Sequence, residues 1–400
     1  MIRMASVEQA LALIAEQAAS RRLGVETVPL AQAFGRVLAK PVLARVSQPP
    51  ADVSAMDGYA VRFTDMEMGA VLRVSGESRA GEPSKDKLNP GDAIRIFTGA
   101  HLPEGADHIL IQEDTKREGD TVIITFEQRK PENIRRRGMD FSLGAQLIPA
   151  GRIITEGAIS LAAAGNNGTV TVAKAPRIGV LANGDELAEA GADLSSGQIV
   201  NSIQLALLGL IRRWGGDAID LGVSRDTEAD VRKRLSASCD VIVSIGGASV
   251  GDYDVVRTAF AADGFAPVFE KIAVKPGKPT WFSAKDSVLA LGLPGNPAAA
   301  MVTAQLFLRP LIAALTGAAP DPTEPQRAFT HDDIPAAGAR EEYLRAIVSL
   351  GDDGRSTVRA AENQDSSLLS PFLVANCLIR RPIKAPAAKA GDLVEIVMLR

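Results

Sequence analysis

VIVSIGGASVGDYD, residues 241–254, begins as an unbroken apolar run and ends in glycines followed by two carboxylates, Asp252 and Asp254. A short Val/Ile run without polar alternation is the pattern of a strand buried on both faces. The glycines let the chain turn tightly and bring backbone amides close to a ligand. The stretch therefore predicts a strand, a glycine-bearing loop and a helix, and the same pattern lies on its N-terminal side. RIGVLANGDE (177–186) precedes a helix near 202–214, AIDLGV (218–223) one near 228–238, and VIVSIGG one near 253–262. Strands alternating with helices of this length predict an α/β unit with a parallel-type sheet over 176–317. In such sheets ligands bind beyond the carboxyl ends of the strands.

The flanking sequence reads differently. Ser6 with Gln9 fits a capping box, and Val7, Leu11, Ile14 and Ala18 fall on one helical stripe that Gly24 stops. Residues 49–140 carry short apolar segments, VLRV (71–74), AIRIF (93–97) and TVIITF (121–126), broken by Gly, Pro and Asp, which predict a β-rich unit. The run from Leu143 to Thr171 is expected to return beside the opening helix, making 1–48 plus 141–175 one elongated N-terminal domain with 49–140 inserted. GAAPDPTEPQ (317–326) is a Pro-rich break, after which YLRAIVSL and LVEIVML predict a C-terminal β domain over 325–400. The expected architecture is thus α/β and multidomain.

Composition narrows the function. Of 400 residues 46% are hydrophobic and 23% charged, and no wholly apolar run approaches the ~18 residues of a membrane span. With Glu8 and Glu16 interrupting the first apolar stretch, a cytoplasmic chain without a signal peptide is expected. The two cysteines and three histidines are too few and too scattered for a disulfide framework or a Cys/His metal site. A net charge of -4 and 4% aromatics argue against a nucleic-acid partner. Catalysis would have to use carboxylates, lysines, hydroxyls or backbone amides.

Four stretches, NGDE (183–186), SRD (224–226), GGASVGDYD (246–254) and LPGNP (293–297), follow successive strands and should converge at one edge of the sheet. Glycine amides and helix N-termini suit phosphate, whereas carboxylates repel it unless a hard cation stands between. Glu186, Asp226, Asp252 and Asp254 beside such loops point to Mg²⁺ with an anionic substrate. Taken singly, each Asp reads first as a turn residue or helix cap. KPGKP (275–279) holds Lys275 and Lys278 on a stiffened turn that suits an oxyanion, or else is a solvated turn. RRR (135–137) reads as a solvated or salt-bridged face, and His101 and His108 as ordinary loop residues. Ser54, Ser249 and Ser366 lack the context of a serine nucleophile.

Taken together, the chain resembles the molybdopterin molybdenumtransferase family, the MoeA and gephyrin E-domain type, over essentially its whole length. The resemblance rests on PPADVSAMDGYAV (49–61), IFTGAHLPEGADHILIQED (96–114) and NIRRRGMDF (133–141). It continues through NGDEL, GGASVGDYD, KPGKP and GLPGNP to GAREEYLRA (338–346) and NQDSSLLS (363–370). It implies a molybdopterin-binding-like central domain, a barrel-like C-terminal domain, and a homodimer whose site is completed by the partner's β-rich unit. The implied reaction inserts molybdate into adenylylated molybdopterin and releases AMP with Mg²⁺. Molybdoenzymes or other cofactor-biosynthesis proteins are implied as further partners. By motif position, Asp57, Thr98, Asp140, Glu186, Asp226 and Asp252 form the functional polar set, with Glu186 and Asp252 on the metal side. Lys275, Lys278, Arg340 and Ser366 would hold molybdate, while Gly246, Gly247, Ser249, Pro294, Gly295 and Asn296 would shape the pterin and phosphate pocket.

Asn183, Ile203, Ile245 and Ala299 depart from the family pattern, and each is expected to remove a small polar group near the ligand. Such a loss is worth about 1.5–3 kcal/mol when the partner is charged. These departures motivate an alternative, a non-catalytic paralogue that carries or docks the cofactor. A tungstate-inserting variant is a further reading, since the two oxyanions are nearly alike in size and charge.

Overall fold

The computed structural model describes residues 1–126, 130–235, 238–246, 255–319, 324–351 and 353–399. Its central sheet has six strands, in the order Asp217–Ser224, Arg177–Asn183, Val241–Ile245, Val288–Leu293, Trp281–Lys285 and Ala266–Phe269. The first four are parallel, as the repeated strand–loop–helix pattern predicts. Trp281–Lys285 runs antiparallel to both its neighbours, so the sheet is mixed. The reason is local: Lys285 pairs with Val288 across a two-residue turn at whose start Asp286 has φ 48°, and a turn that short can join only antiparallel strands.

Alternate residues of Val241–Ile245 serve two cores, which is why the run lacks polar alternation. Val241, Val243 and Ile245 pack with the Ile203–Arg213 helix and the helical run 297–316, while Ile242 faces the Glu228–Leu235 and Val255–Ala262 helices. The run Pro297–Thr316 is long and apolar enough to cross a membrane, but 72% of its most apolar window is buried as the core helix of this sheet.

The opening helix, Val7–Ala19, has the predicted capping box: Ser6 Oγ accepts from the Gln9 N–H and Gln9 Oε1 accepts from the Ser6 N–H. Its buried face (Val7, Ala10, Ile14, Ala18) joins the α/β core and packs on the Arg309–Thr316 helix. This corrects the expectation that 143–171 returns beside that helix, because the apolar stripe is already used. What the returning chain meets is the Val25–Pro29 strand, paired antiparallel with Thr169–Ala173, and Val42–Leu43, paired with Gln146–Ile148. These elements and the Glu156–Ala164 helix share a separate core.

Within 49–140 a six-stranded sheet buries apolar side chains on both faces. The strands after 325 close on themselves, because Glu341–Leu350 pairs with both Ser356–Ala360 and Cys377–Arg381, so the sheet forms a barrel. Val274–Lys275 adds to that barrel in parallel with Glu341 and Glu342, which ties the KPGKP turn to the C-terminal unit.

Candidate functional site

A cleft of about 950 Å³ lies beyond the carboxyl ends of the parallel strands. Asn183, Gly184, Glu186, Asp226, Ile245, Gly246, Pro294, Gly295 and Asn296 all line it, so the predicted convergence of NGDE, SRD, the GG turn and PGNP holds for the described residues. The glycines are what allow it. Gly246 has φ 85°, and a Cβ there would lie 2.8 Å from the Asn183 carbonyl; a Cβ on Gly295 would lie 3.4 Å from Gly246 Cα. A side chain at 246 would therefore push the ends of the Arg177–Asn183 and Val241–Ile245 strands apart. Gly247, Ser249, Asp252 and Asp254 lie outside the described residues.

Asp226 is exposed at the cleft, yet one oxygen accepts a 2.5 Å hydrogen bond from Asn183 Nδ2, and Asn183 Oδ1 accepts from Ser224 Oγ at 2.8 Å. Glu186 is exposed and folds back over Gly184. Leu187, Ile199, Val200, Ile203 and Ile245 give the cleft an apolar wall. Beneath it, buried Gln204 donates to Asp220 Oδ1 and to the Val180 carbonyl and accepts from Asn201 Nδ2, which holds Asn201 at the rim.

The four departures from the family pattern behave differently from one another. Asn183, Ile203 and Ile245 line the cleft, and the two isoleucines extend its apolar wall. Asn183 is a correction: the longer amide does not remove a polar contact but bonds two neighbours. Ala299 is 3% exposed in the helix, where its carbonyl accepts from Thr303 Oγ1, and it is not part of the cleft lining.

The predicted oxyanion group sits where the barrel meets the α/β unit. In KPGKP a Cβ on Gly277 (φ 117°) would lie 2.2 Å from Thr303 Cγ2, so the turn is pressed against the core helix. Lys275 pairs with Glu342 at 3.2 Å, and Arg340 donates to the Val274 carbonyl at 3.4 Å. Lys278 and Pro279 complete the turn, and Pro279 reaches the cleft lining. Ser366 Oγ accepts from Asn296 Nδ2 at 3.1 Å, its carbonyl accepts from the Ala298 N–H, and Ser367 lines the cleft.

Arg345 was not singled out by the sequence, although it lies in GAREEYLRA. It is 1% exposed and donates to the carbonyls of Asn363, Asp365 and Leu368 and to Gln364 Oε1, so one buried guanidinium shapes the loop that presents Ser366 and Ser367. Burial lowers its pKa.

Asp57, Thr98 and Asp140 lie elsewhere, in the 49–140 unit, where the structure brings Asp57 and Thr98 together. Asp57 Oδ1 accepts from Thr98 N–H at 2.7 Å and from Thr98 Oγ1 at 2.8 Å, and these two bonds hold its carboxyl below the ordinary value. Asp140 borders a second cleft of about 620 Å³ with Gln48, Gly99, His101 and Arg135. The triple arginine is anchored as expected of a salt-bridged face: Asp52 accepts from the Arg136 side chain and the Arg137 N–H, which lowers its pKa. His108 is fully buried, and burial depresses its pKa, so it is a core residue of that sheet and not the loop residue expected. Among the described residues, none from 49–140 lines the larger cleft.

Three family models match in succession: the MoeA N-terminal region (domain I and II) over 5–165, a probable molybdopterin binding domain over 179–314, and the MoeA C-terminal region (domain IV) over 327–399. A molybdopterin molybdenumtransferase of Nostoc sp. is 35% identical over 387 residues, 94% of this chain and 88% of that protein. One from Haemophilus influenzae is 34% identical over 376 residues, 93% of each. The crystal structure of the molybdopterin biosynthesis MoeA protein from Pyrococcus horikoshii OT3 superposes with a TM-score of 0.83 at 26% identity, covering 99% of this chain and all of that one.

Proposed function

The chain belongs to the molybdopterin molybdenumtransferase family, transferases of molybdenum cofactor biosynthesis, and from that membership we propose that it inserts molybdate into adenylylated molybdopterin with Mg²⁺-dependent release of AMP. The observation that carries the proposal is the cleft itself, where backbone turns at Gly246 and Gly295 lie beside the carboxylates of Glu186 and Asp226. Backbone that close-packed, with the N-terminus of the long core helix at Asn296 and Pro297, suits phosphate. The apolar wall of Leu187, Ile199, Val200 and Ile203 offers a surface for a flat heterocycle.

Glu186 and Asp226 supply hard carboxylate oxygens, the donor type Mg²⁺ takes, and Mg²⁺ is commonly held by one or two carboxylates plus substrate phosphates and water. Among the described residues no group of three or more His, Cys, Asp or Glu is arranged to hold an ion without such help. Glu186 and Asp226, with Asp252 by its motif position, would hold the ion, which would supply charge neutralisation of the phosphates and polarisation of the phosphoanhydride. The protein's own part is to orient. The Gly246 and Gly295 turns let the phosphates approach, and Lys275, Lys278 and Arg340 attract the oxyanion beside Ser366.

Asp57, Thr98 and Asp140 enter this scheme through a homodimer in which the partner's β-rich unit faces the cleft. Their separation from the cleft lining within one chain supports that arrangement. Expression of the chain in a cell lacking its own insertase tests the function: molybdoenzyme activity should return. Failure at full expression, with pterin binding intact, would favour the non-catalytic reading.

A further inference from the structure

Asn183 ends the Arg177–Asn183 strand and stands in register with Ser224 at the end of the neighbouring parallel strand. It is 5% exposed, and its amide is held on both sides. Ser224 Oγ donates to Asn183 Oδ1 at 2.8 Å, which turns Nδ2 toward Asp226 Oδ1 at 2.5 Å. Turned the other way, the amide would set its oxygen against a carboxylate. The other hydrogen bonds of Asp226 at this sheet edge, from and to Asp185, are long at 3.4 Å. Asp185 also brings a second negative charge, so the Asn183 N–H is the short, oriented contact that Asp226 has there.

We propose that Asn183 is a positioning residue that fixes the direction of the Asp226 carboxylate at the cleft, with Ser224 setting the orientation of its amide. The inference rests on the reading of Asp226 as part of the substrate site. An alanine at 183 removes both contacts while leaving Ser224 the Ala182 carbonyl, to which it also donates at 3.3 Å. A threonine keeps a strand-compatible side chain but is one atom too short to join Ser224 and Asp226 together.

The test is a double-mutant cycle read on two quantities, kcat/KM for AMP release and the affinity for adenylylated molybdopterin without molybdate. Asn183→Ala and Asn183→Thr should each lower kcat/KM about tenfold in the parent chain, the size expected for one hydrogen bond to a charged group. On an Asp226→Ala background the same substitutions should change both quantities less than about twofold, because the partner is gone. Equal losses in both backgrounds, or losses that follow a fall in the thermal midpoint, would overturn the proposal. If Asp226→Ala is itself unimpaired, the assignment of Asp226 to the site falls; if Asp226→Ala is impaired and Asn183→Ala is not, only the positioning role falls.

Discussion

The Asp57 carboxylate takes two hydrogen bonds from a single residue, the backbone and hydroxyl of Thr98, and their preference for the anion lowers its pKa from the ordinary 3.8. A group whose folded pKa is depressed contributes stability above its unfolded value, and that contribution is lost as pH falls through the folded value. Thr98→Val removes the hydroxyl bond alone, so the Asp57 pKa should rise toward the ordinary value in a carboxyl NMR titration while the backbone bond keeps it from reaching it. An unchanged titration would mean the hydroxyl bond is not formed in solution. At this scale the sequence is only partly legible. SAMDGYA and FTGA mark Asp57 and Thr98, but their pairing depends on the Gly58 and Ile96 strand register, which brings together residues 41 positions apart. Asn183 is the sharper case. Read alone it is a missing hydroxyl; only the parallel register with Ser224 reveals an amide holding a carboxylate.

Among elements, the loop after the barrel strand Ser356–Ala360 depends on a charge from the neighbouring strand Glu341–Leu350. Arg345 satisfies three carbonyls of the chain between 363 and 368, and Arg345→Leu would leave them short of donors in a partly buried setting. Chemical denaturation should report a loss of about 3 kcal/mol, with weaker substrate binding because Ser366 and Ser367 are no longer held. Wild-type stability for this variant would show that the loop orders itself. The turn after the Val241–Ile245 strand depends on the absence of a side chain. Gly246→Ala must adopt φ near 85° and meet the Asn183 carbonyl, so it should cost about 2 kcal/mol and weaken adenylylated molybdopterin binding. Equal affinity would remove this turn from the site. The glycine was legible as a ligand loop because an apolar strand ends there. Arg345 was not, since nothing in YLRA says that its side chain points inward beneath a loop some 20 residues later.

For the whole molecule, the α/β pattern was readable because strand and helix periods alternate, and it correctly gave four parallel strands. The antiparallel return of Trp281–Lys285 was hidden in a two-residue turn, and the seat of the opening helix in tertiary packing that no local period encodes. The larger claim is that a site is built from two chains, and it predicts complementation. Asp57→Ala and Asp226→Ala chains should each keep only a small residual activity alone, whereas randomly mixed dimers should recover about a quarter of wild-type activity, one intact site in each mixed dimer. No recovery in verified mixed dimers would place both halves of the site in one chain. The reaction itself is read by incubating the purified chain with adenylylated molybdopterin, molybdate and Mg²⁺ and measuring AMP. AMP release should require both molybdate and Mg²⁺ and fall steeply with Asp226→Ala; tight binding of adenylylated molybdopterin with no AMP released would overturn the assigned reaction.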